Sequence, residues 1–495
     1  MLKKVFAAPD PGRARLRFAT RGVLGVVLAV VASGLAGHST VGAITGGLAA
    51  LLALFTVTDT TIRSQAVTTA LLPVVGLPLL AAAAVFHADP VARDLTFLAV
   101  VGVGVYARRW GPRGHSLGVF AFMTYFVAQF LDAGPGRLPE LYAAVLLSLG
   151  VASLTRFGLW CYERRDPPAA VPAPPAARGL ARVTTRQAVQ ATAGAGFALV
   201  VGQLVSGERW YWAVGATWWI FVGTTSRGET LVRGFRRVLG TVVGVGAALV
   251  VAVPVAGAPV PTAALVALCV FGIFYTAAVS YSWMTLCVTL LASLLYGLLG
   301  ALTPGLLALR LAETGVGALG AAIAVTLLLP VTTHGVTQAS VRRALRCVHV
   351  CTTEVAARLA GDPKADPAAR VAELERALGR VRLAVAPLLH PLSPMPGRKR
   401  RARVVVALLD DCAREVGALA AAAVDPRALP DLRDASRRVE AAVEALAGGD
   451  AAPSHAAPPP AAGGAALAHA HGVESALAGL AAPLRTRRRL PPVAV

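Results

Sequence analysis

The chain has 495 residues, of which 56% are hydrophobic and 15% charged, with 47 Lys and Arg against 26 Asp and Glu for a formal net charge of +21. A sequence this apolar, with runs that reach bilayer length, excludes a soluble multidomain protein and predicts an all-α polytopic membrane protein. The basic excess falls where the positive-inside rule puts it, so no nucleic-acid partner is expected, and the expected partner is a lipid bilayer with an anionic inner leaflet.

In chain order, MLKKVFAAPDPGRARLRF is basic but lacks an apolar segment before a small-residue cleavage site, so the first apolar run is expected to be retained. Twelve runs follow, near 17–36, 41–57, 66–86, 95–107, 115–131, 139–160, 189–206, 211–225, 236–257, 262–280, 282–301 and 309–329. The run at 95–107 is too short for a straight span, so it must borrow flanking residues or cross as a broken helix. Lys3, Lys4, Arg13, Arg15, Arg17 and Arg21 precede the first run, Arg63 follows the second, and Arg108, Arg109 and Arg113 follow the fourth. The opposite connections carry Arg93, Arg137 and Arg209 against Asp89, Asp94, Asp132, Glu140 and Glu208. Both termini are therefore expected on the cytoplasmic side of an inner (plasma) membrane.

An offset of 173 residues aligns Arg13 with Arg186, Val41-Gly42-Ala43 with Val214-Gly215-Ala216, Arg63 with Arg236, Thr68 with Thr241, Trp110 with Trp283, Arg137 with Arg310 and Glu140 with Glu313. Charged residues inside apolar segments are rare enough for such matches to predict an internal duplication. The expected organisation is a first six-helix membrane repeat over 13–162, a Pro-rich cytoplasmic linker over 163–181 and a second repeat over 182–330. Six is an even number, so the two repeats run parallel.

Beyond Pro330 the hydropathy falls and four amphipathic helices are expected near 337–360, 367–389, 398–424 and 428–447, forming a cytoplasmic helical domain over 331–447 that supports oligomerisation, as a homo-oligomer, or regulation. Asp366-Pro367 and Asp425-Pro426 have the form of an N-cap followed by proline at the first helical position. Arg398-Lys399-Arg400-Arg401 and Arg487-Arg488-Arg489 suit an anionic leaflet. Residues 448–495, rich in alanine, proline and glycine before a basic end, are expected to be disordered.

The candidate site residues cluster around the ninth run. Arg236 or Arg237, at the mouth of an apolar helix, and Arg63 at the matching place in the first repeat, can hold a carboxylate bidentately or simply fix topology. Gly240 and Gly244, with Thr241 between them, have the G-x-x-x-G spacing that lets helices pack closely. Arg137 with Glu140, and Arg310 with Glu313, lie three residues apart, as structural ion pairs or as proton-coupling groups. Trp210 and Tyr211 read as an interfacial belt, while Trp218 and Trp219 lie deeper and point about 100° apart, so one of them at most faces a substrate path. Cys347 and Cys351 share a helix face from which His349 points away, so no metal is expected there. There is no C-x-x-C and no phosphate-binding G-x-x-x-x-G-K-[ST], and neither a cofactor nor catalysis is expected.

The segment Arg233-Gly234-Phe235-Arg236-Arg237-Val238-Leu239-Gly240-Thr241-Val242-Val243-Gly244, with Trp212-Ala213-Val214 upstream and Arg310-Leu311-Ala312-Glu313-Thr314 downstream, resembles the fusaric acid resistance (FUSC) family of bacterial inner-membrane proteins. That family includes aromatic acid exporters and resembles the plant aluminium-activated malate transporters. The likeness is clearest over about 182–330. The first repeat keeps Arg63, Thr68, Arg137 and Glu140 but has Val67 where the second has Gly240. The resemblance implies a membrane transporter that exports small organic anions such as aromatic carboxylic acids. The alternatives are an anion channel lined by Arg63 and Arg236, or a non-transporting membrane scaffold.

Overall fold

The computed structural model of the chain describes residues 13–158, 179–255, 258–331, 333–359, 361–362, 365–389, 396–422, 429–448 and 464–485. These are helical, with no strand among them, and the chain divides into two compact units, Met1–Pro330 and Val331–Val495.

The first unit contains helices α1 (Ala14–Leu35), α2 (Thr40–Thr56), α3 (Ile62–Val85), α4 (Pro90–Ala107), α5 (Gly111–Phe130) and α6 (Leu138–Gly158) before the undescribed linker residues. After them come α7 (Val183–Val205), α8 (Tyr211–Phe221), α9 (Arg227–Ala247), α10 (Pro259–Thr276), α11 (Tyr281–Leu298) and α12 (Pro304–Leu327). Among the described residues, nine segments are long and apolar enough to cross a bilayer. One of them, Pro90–Phe130, is broken into α4 and α5 at Gly111, whose φ of 75° suits glycine. The short run near 95–107 borrows its missing turn from Pro90 onward. Asp89 caps that turn by accepting from the Val91 and Ala92 N–H groups, and Pro90 sits in the first turn, where its missing N–H is no loss.

The two shortest of the twelve are α2, with 17 residues, and α8, with 11. At 1.5 Å per residue α8 covers about 16 Å, roughly half the hydrocarbon thickness, so its end lies within the packed unit.

Helix neighbours recur between the two halves. Helix α1 packs on α2 and α6, α2 on α6, α3 on α5 and α6, and α4 on α5. Correspondingly α7 packs on α8 and α12, α8 on α12, α9 on α11 and α12, and α10 on α11. The halves meet where α4 packs on α7 and α10 on α1. Between them the rings of Phe97, Phe122 and Trp218 form a continuous stack, with centroids 5.3 and 4.3 Å apart, joining α4, α5 and α8.

The second unit is a bundle of α13 (Thr333–Leu359), α14 (Pro367–Leu389), α15 (Pro396–Ala421), α16 (Leu429–Gly448) and α17 (Ala465–Arg485). Leu345, Val348, Leu374, Val381, Leu409, Val416, Val443 and Leu477 form its core. Asp366 accepts from the Ala369 N–H as the cap of α14. Asp425-Pro426 and Arg487-Arg488-Arg489 lie outside the described residues, as does the Pro-rich linker except for a 3-10 turn at Gly179–Ala181. The expectation of disorder over 448–495 is corrected in part. Helix α17 packs on α15 and α16, and Val473, Leu477 and Leu480 bury the apolar face that its alanine-rich composition concealed.

Candidate functional site

Helix α9 starts with Ser226 as its N-cap and a reciprocal glutamate contact one residue further back than in a capping box. Ser226 Oγ accepts from the Glu229 N–H, and Glu229 Oε2 accepts from the Thr225 N–H at 2.7 Å. From there a 3.6-residue period turns Gly234, Arg237, Gly240, Thr241 and Gly244 inward, whereas Phe235, Arg236, Val242 and Val243 are exposed. A Cβ at Gly240 would lie 2.5 Å from the Ser282 carbonyl oxygen, and one at Gly244 would lie 2.7 Å from Thr289 Cβ. These glycines let α9 lie directly against α11.

That approach brings Arg237 under Tyr281. Arg237 Nη1 donates to Tyr281 Oη at 3.2 Å, and Tyr281 Oη donates to the Trp219 carbonyl at 3.1 Å. Arg233 Nε donates to the same carbonyl at 3.0 Å, with its guanidinium 4.1 Å above the Tyr281 ring. The carbonyls at the end of α8 thus accept from side chains. Arg237 is 6% exposed, its Nε has no hydrogen-bond partner, and among the described residues no carboxylate lies within ion-pair distance of it.

Arg237 opens onto a cavity of about 110 Å³ between α2, α5, α8, α9, α10 and α11. Phe55, Phe126, Phe130, Trp212 and Trp219 supply aromatic wall, Met123 and Met284 adaptable wall, and Arg237 is the sole charged residue in the lining. A larger cavity of about 590 Å³ lies between α1, α2, α10 and α11, and Leu48, Leu51, Leu291 and Leu295 border both.

A polar cluster sits behind Trp212. Trp212 Nε1 donates to Tyr296 Oη at 2.7 Å, and Tyr296 Oη lies 3.1 Å from Tyr211 Oη. Arg209 Nη1 donates to Tyr211 Oη at 3.3 Å. The guanidinium of Arg310 lies 3.3 Å over the Trp212 ring. Arg310 is 4% exposed and Glu313 is 0% exposed, and neither oxygen of Glu313 has a hydrogen-bond partner.

The structure brings together only some of the expected residues. Arg237 and Trp219 line the central cavity. Trp218 does not, because its ring is held against Phe122. Arg236 is exposed and misses the cavity, since one step along a helix rotates a side chain by 100°, and Arg63 is exposed at the start of α3, which contributes no residue to the lining. Neither expected Arg–Glu pair forms. Glu140 Oε1 instead accepts from the Ser39 N–H at 2.7 Å at the start of α2, while Arg310 is drawn onto an indole face. Trp210 and Tyr211 form no interfacial belt; both are buried, with Arg93 4.8 Å from the Trp210 ring centre. Among the described residues no cluster of His, Cys, Asp or Glu has the arrangement of a metal site. Tyr281 and Tyr296 are absent from the sequence-based candidates, and Arg233 enters them only as part of the family-like segment. The available signal was a pair of tyrosine hydroxyls in apolar helices, which need partners when buried.

Residues 197–343 match the family model of fusaric acid resistance protein-like domains. No curated protein and no solved structure matches the chain. The matched segment carries α8 through α12, and with it Arg237, Tyr281, Tyr296, Arg310 and Glu313. This match and the apolar helices describe a polytopic membrane protein with a fusaric acid resistance protein-like segment in its second half.

Proposed function

We propose that the protein exports small organic anions, with aromatic carboxylates as the substrate class, across an inner membrane in which both termini face the cytoplasm. One observation carries this reading. Arg237 is a buried guanidinium without a carboxylate partner, facing a cavity whose remaining wall is apolar and aromatic. A buried unpaired charge is costly, and a carboxylate ligand would supply both the missing charge and acceptors for the guanidinium fork. The rest of the wall suits a flat apolar body. At about 110 Å³ the cavity is smaller than the roughly 150 Å³ that holds a benzene ring, so entry requires Met123, Met284 or the bordering leucines to move. The two six-helix sets are read as parallel copies, and the second unit, with its basic α15, as a cytoplasmic domain facing anionic lipid.

The test is efflux of labelled 4-hydroxybenzoate from cells expressing the protein. Arg237→Ala is expected to reduce the rate at least tenfold, and Arg237→Lys to restore it only in part, because an ammonium lacks the two-pronged donor set. Arg236→Ala is expected to stay within twofold of the parent. Equal loss in both arginine-to-alanine variants, with equal membrane abundance, would remove Arg237 from the binding role.

A further inference from the structure

We infer that Glu313 is a proton-carrying group that couples anion export to proton movement, an inference that rests on the transport reading above. The carboxyl group lies one turn after Arg310 on α12, is fully buried, and leaves both oxygens without a hydrogen-bond partner. A carboxylate in that condition has lost its hydration and gained nothing in exchange, so the group is completed in this state by a proton.

The surroundings hold a latent partner. Arg310 belongs to the same face, but its guanidinium lies over Trp212, and its Nε is also without a partner. Helix α12 packs on α7, α8 and α9. The titratable or charged groups near Glu313 and Arg310 are Arg209 ahead of α8, Tyr211 on α8, Tyr296 on α11 and Arg237 on α9. Three cations therefore share this region with the Glu313 carboxyl, and the exposed Glu208 lies near Arg209. Trp212 forms part of the wall of the Arg237 cavity as well as the platform for Arg310, so an anion entering the cavity touches the residue that holds Arg310. If Arg310 leaves the indole face, it can pair with Glu313 once the carboxyl O–H bond breaks, the proton passing to water on the side then open. Reprotonation reverses the step. The step balances because the neutral acid yields a carboxylate and a proton taken up by water, while Arg310, a cation throughout, only changes partner from the indole to the carboxylate.

The test uses the purified full chain in liposomes, labelled 4-hydroxybenzoate and a luminal pH dye. Exchange of internal for external substrate without a pH gradient reports binding and movement alone, whereas accumulation driven by an imposed pH gradient reports coupling. Glu313→Gln, which mimics the protonated group, is expected to keep exchange within about twofold of the parent and to lower gradient-driven accumulation to the no-gradient level, without proton flux. Gradient-driven accumulation equal to the parent's would overturn the assignment. If Glu313→Gln loses both activities, Glu313→Asp decides. Recovery of gradient-driven accumulation with an acid at this position supports the proton role, and failure of both variants makes Glu313 structural and ends the proposal. A parent protein that exchanges no substrate would instead defeat the transport reading, and the coupling role would fall with it.

Discussion

Adjacent residues in this chain have opposite fates, and the helical period explains which does what. Arg236 and Arg237 are indistinguishable by composition, yet only Arg237 shares the face of Gly240 and Gly244 that meets α11. The sequence held the clue in the i, i+3 and i, i+7 spacing from Arg237 to those glycines, but the matching of Arg63 with Arg236 drew attention to the exposed neighbour. Cysteines give a second residue-scale expectation. In the second unit burial pushes the thiols of Cys351 and Cys412 up to about 12, each chiefly through loss of hydration. Thiolate is the reactive form, so both are expected to resist maleimide at pH 7.5 in the folded protein and to label fully in denaturant. The sign of the pH effect follows. A thiol raised on folding contributes stability that is fully present below the unfolded value near 9 and is lost as pH rises towards 12. Denaturation midpoints followed by helical circular dichroism should accordingly fall between pH 9 and 12, and Cys412→Ala should flatten that dependence.

At the scale of elements, the short helices explain two arginines, Arg108, which the topology reading places in a cytoplasmic connection, and Arg156, which falls inside the sixth apolar run. Helix α2 ends inside the unit, and the buried Arg156 on α6 donates to the carbonyls of Val57 at 3.0 Å and Ala53 at 2.7 Å. At the corresponding end of α8, Arg108 donates to the carbonyls of Phe221 at 3.2 Å and Thr224 at 3.0 Å, joined by Gln187. A helix C-terminus leaves up to four carbonyls unpaired and carries partial negative charge, so a cation there satisfies both needs. Replacing Arg156 by Ala should destabilise the unit by about 3 kcal/mol, because hydrogen bonds to charged donors contribute about 1.5–3 kcal/mol each and do not add fully. A thermal melt in detergent should show it, and an unchanged midpoint would mean that water replaces the guanidinium. The element boundaries were largely legible because apolar runs, proline and cap residues mark them locally. The caps of α2 and α8 were not legible, since Arg156 and Arg108 reach partners 99 to 116 residues away in the chain.

For the membrane unit as a whole, the informative feature is a difference between two contacts that the duplication reading makes equivalent. Where α4 meets α7 the helices touch, and a Cβ on Gly102 would lie 2.6 Å from Thr192 Oγ1. Helix α10 meets α1 through an aromatic contact. There the rings of Phe18 and Phe274 lie 4.9 Å apart and a Cβ on Gly22 would strike Phe274. Val30, Val31, Gly34 and Ala263 line the cavity of about 590 Å³ that borders this contact. The second contact is therefore bordered by a cavity that the first lacks, and Leu48, Leu51, Leu291 and Leu295 line both that cavity and the Arg237 cavity. In a background without native cysteines, Gly102→Cys with Thr192→Cys should cross-link readily under mild oxidation in native membranes. Val31→Cys with Ala263→Cys should cross-link weakly. On the proposed export reading, with the two six-helix sets as like halves, there is a physical reason to hold the two contacts unequally, because a binding site reached from both sides at once would let the gradient run down. Added 4-hydroxybenzoate should then move the two cross-linking yields in opposite directions, whereas yields that stay equal and fixed would mean that the two contacts are passive packing surfaces and that access to Arg237 lies elsewhere.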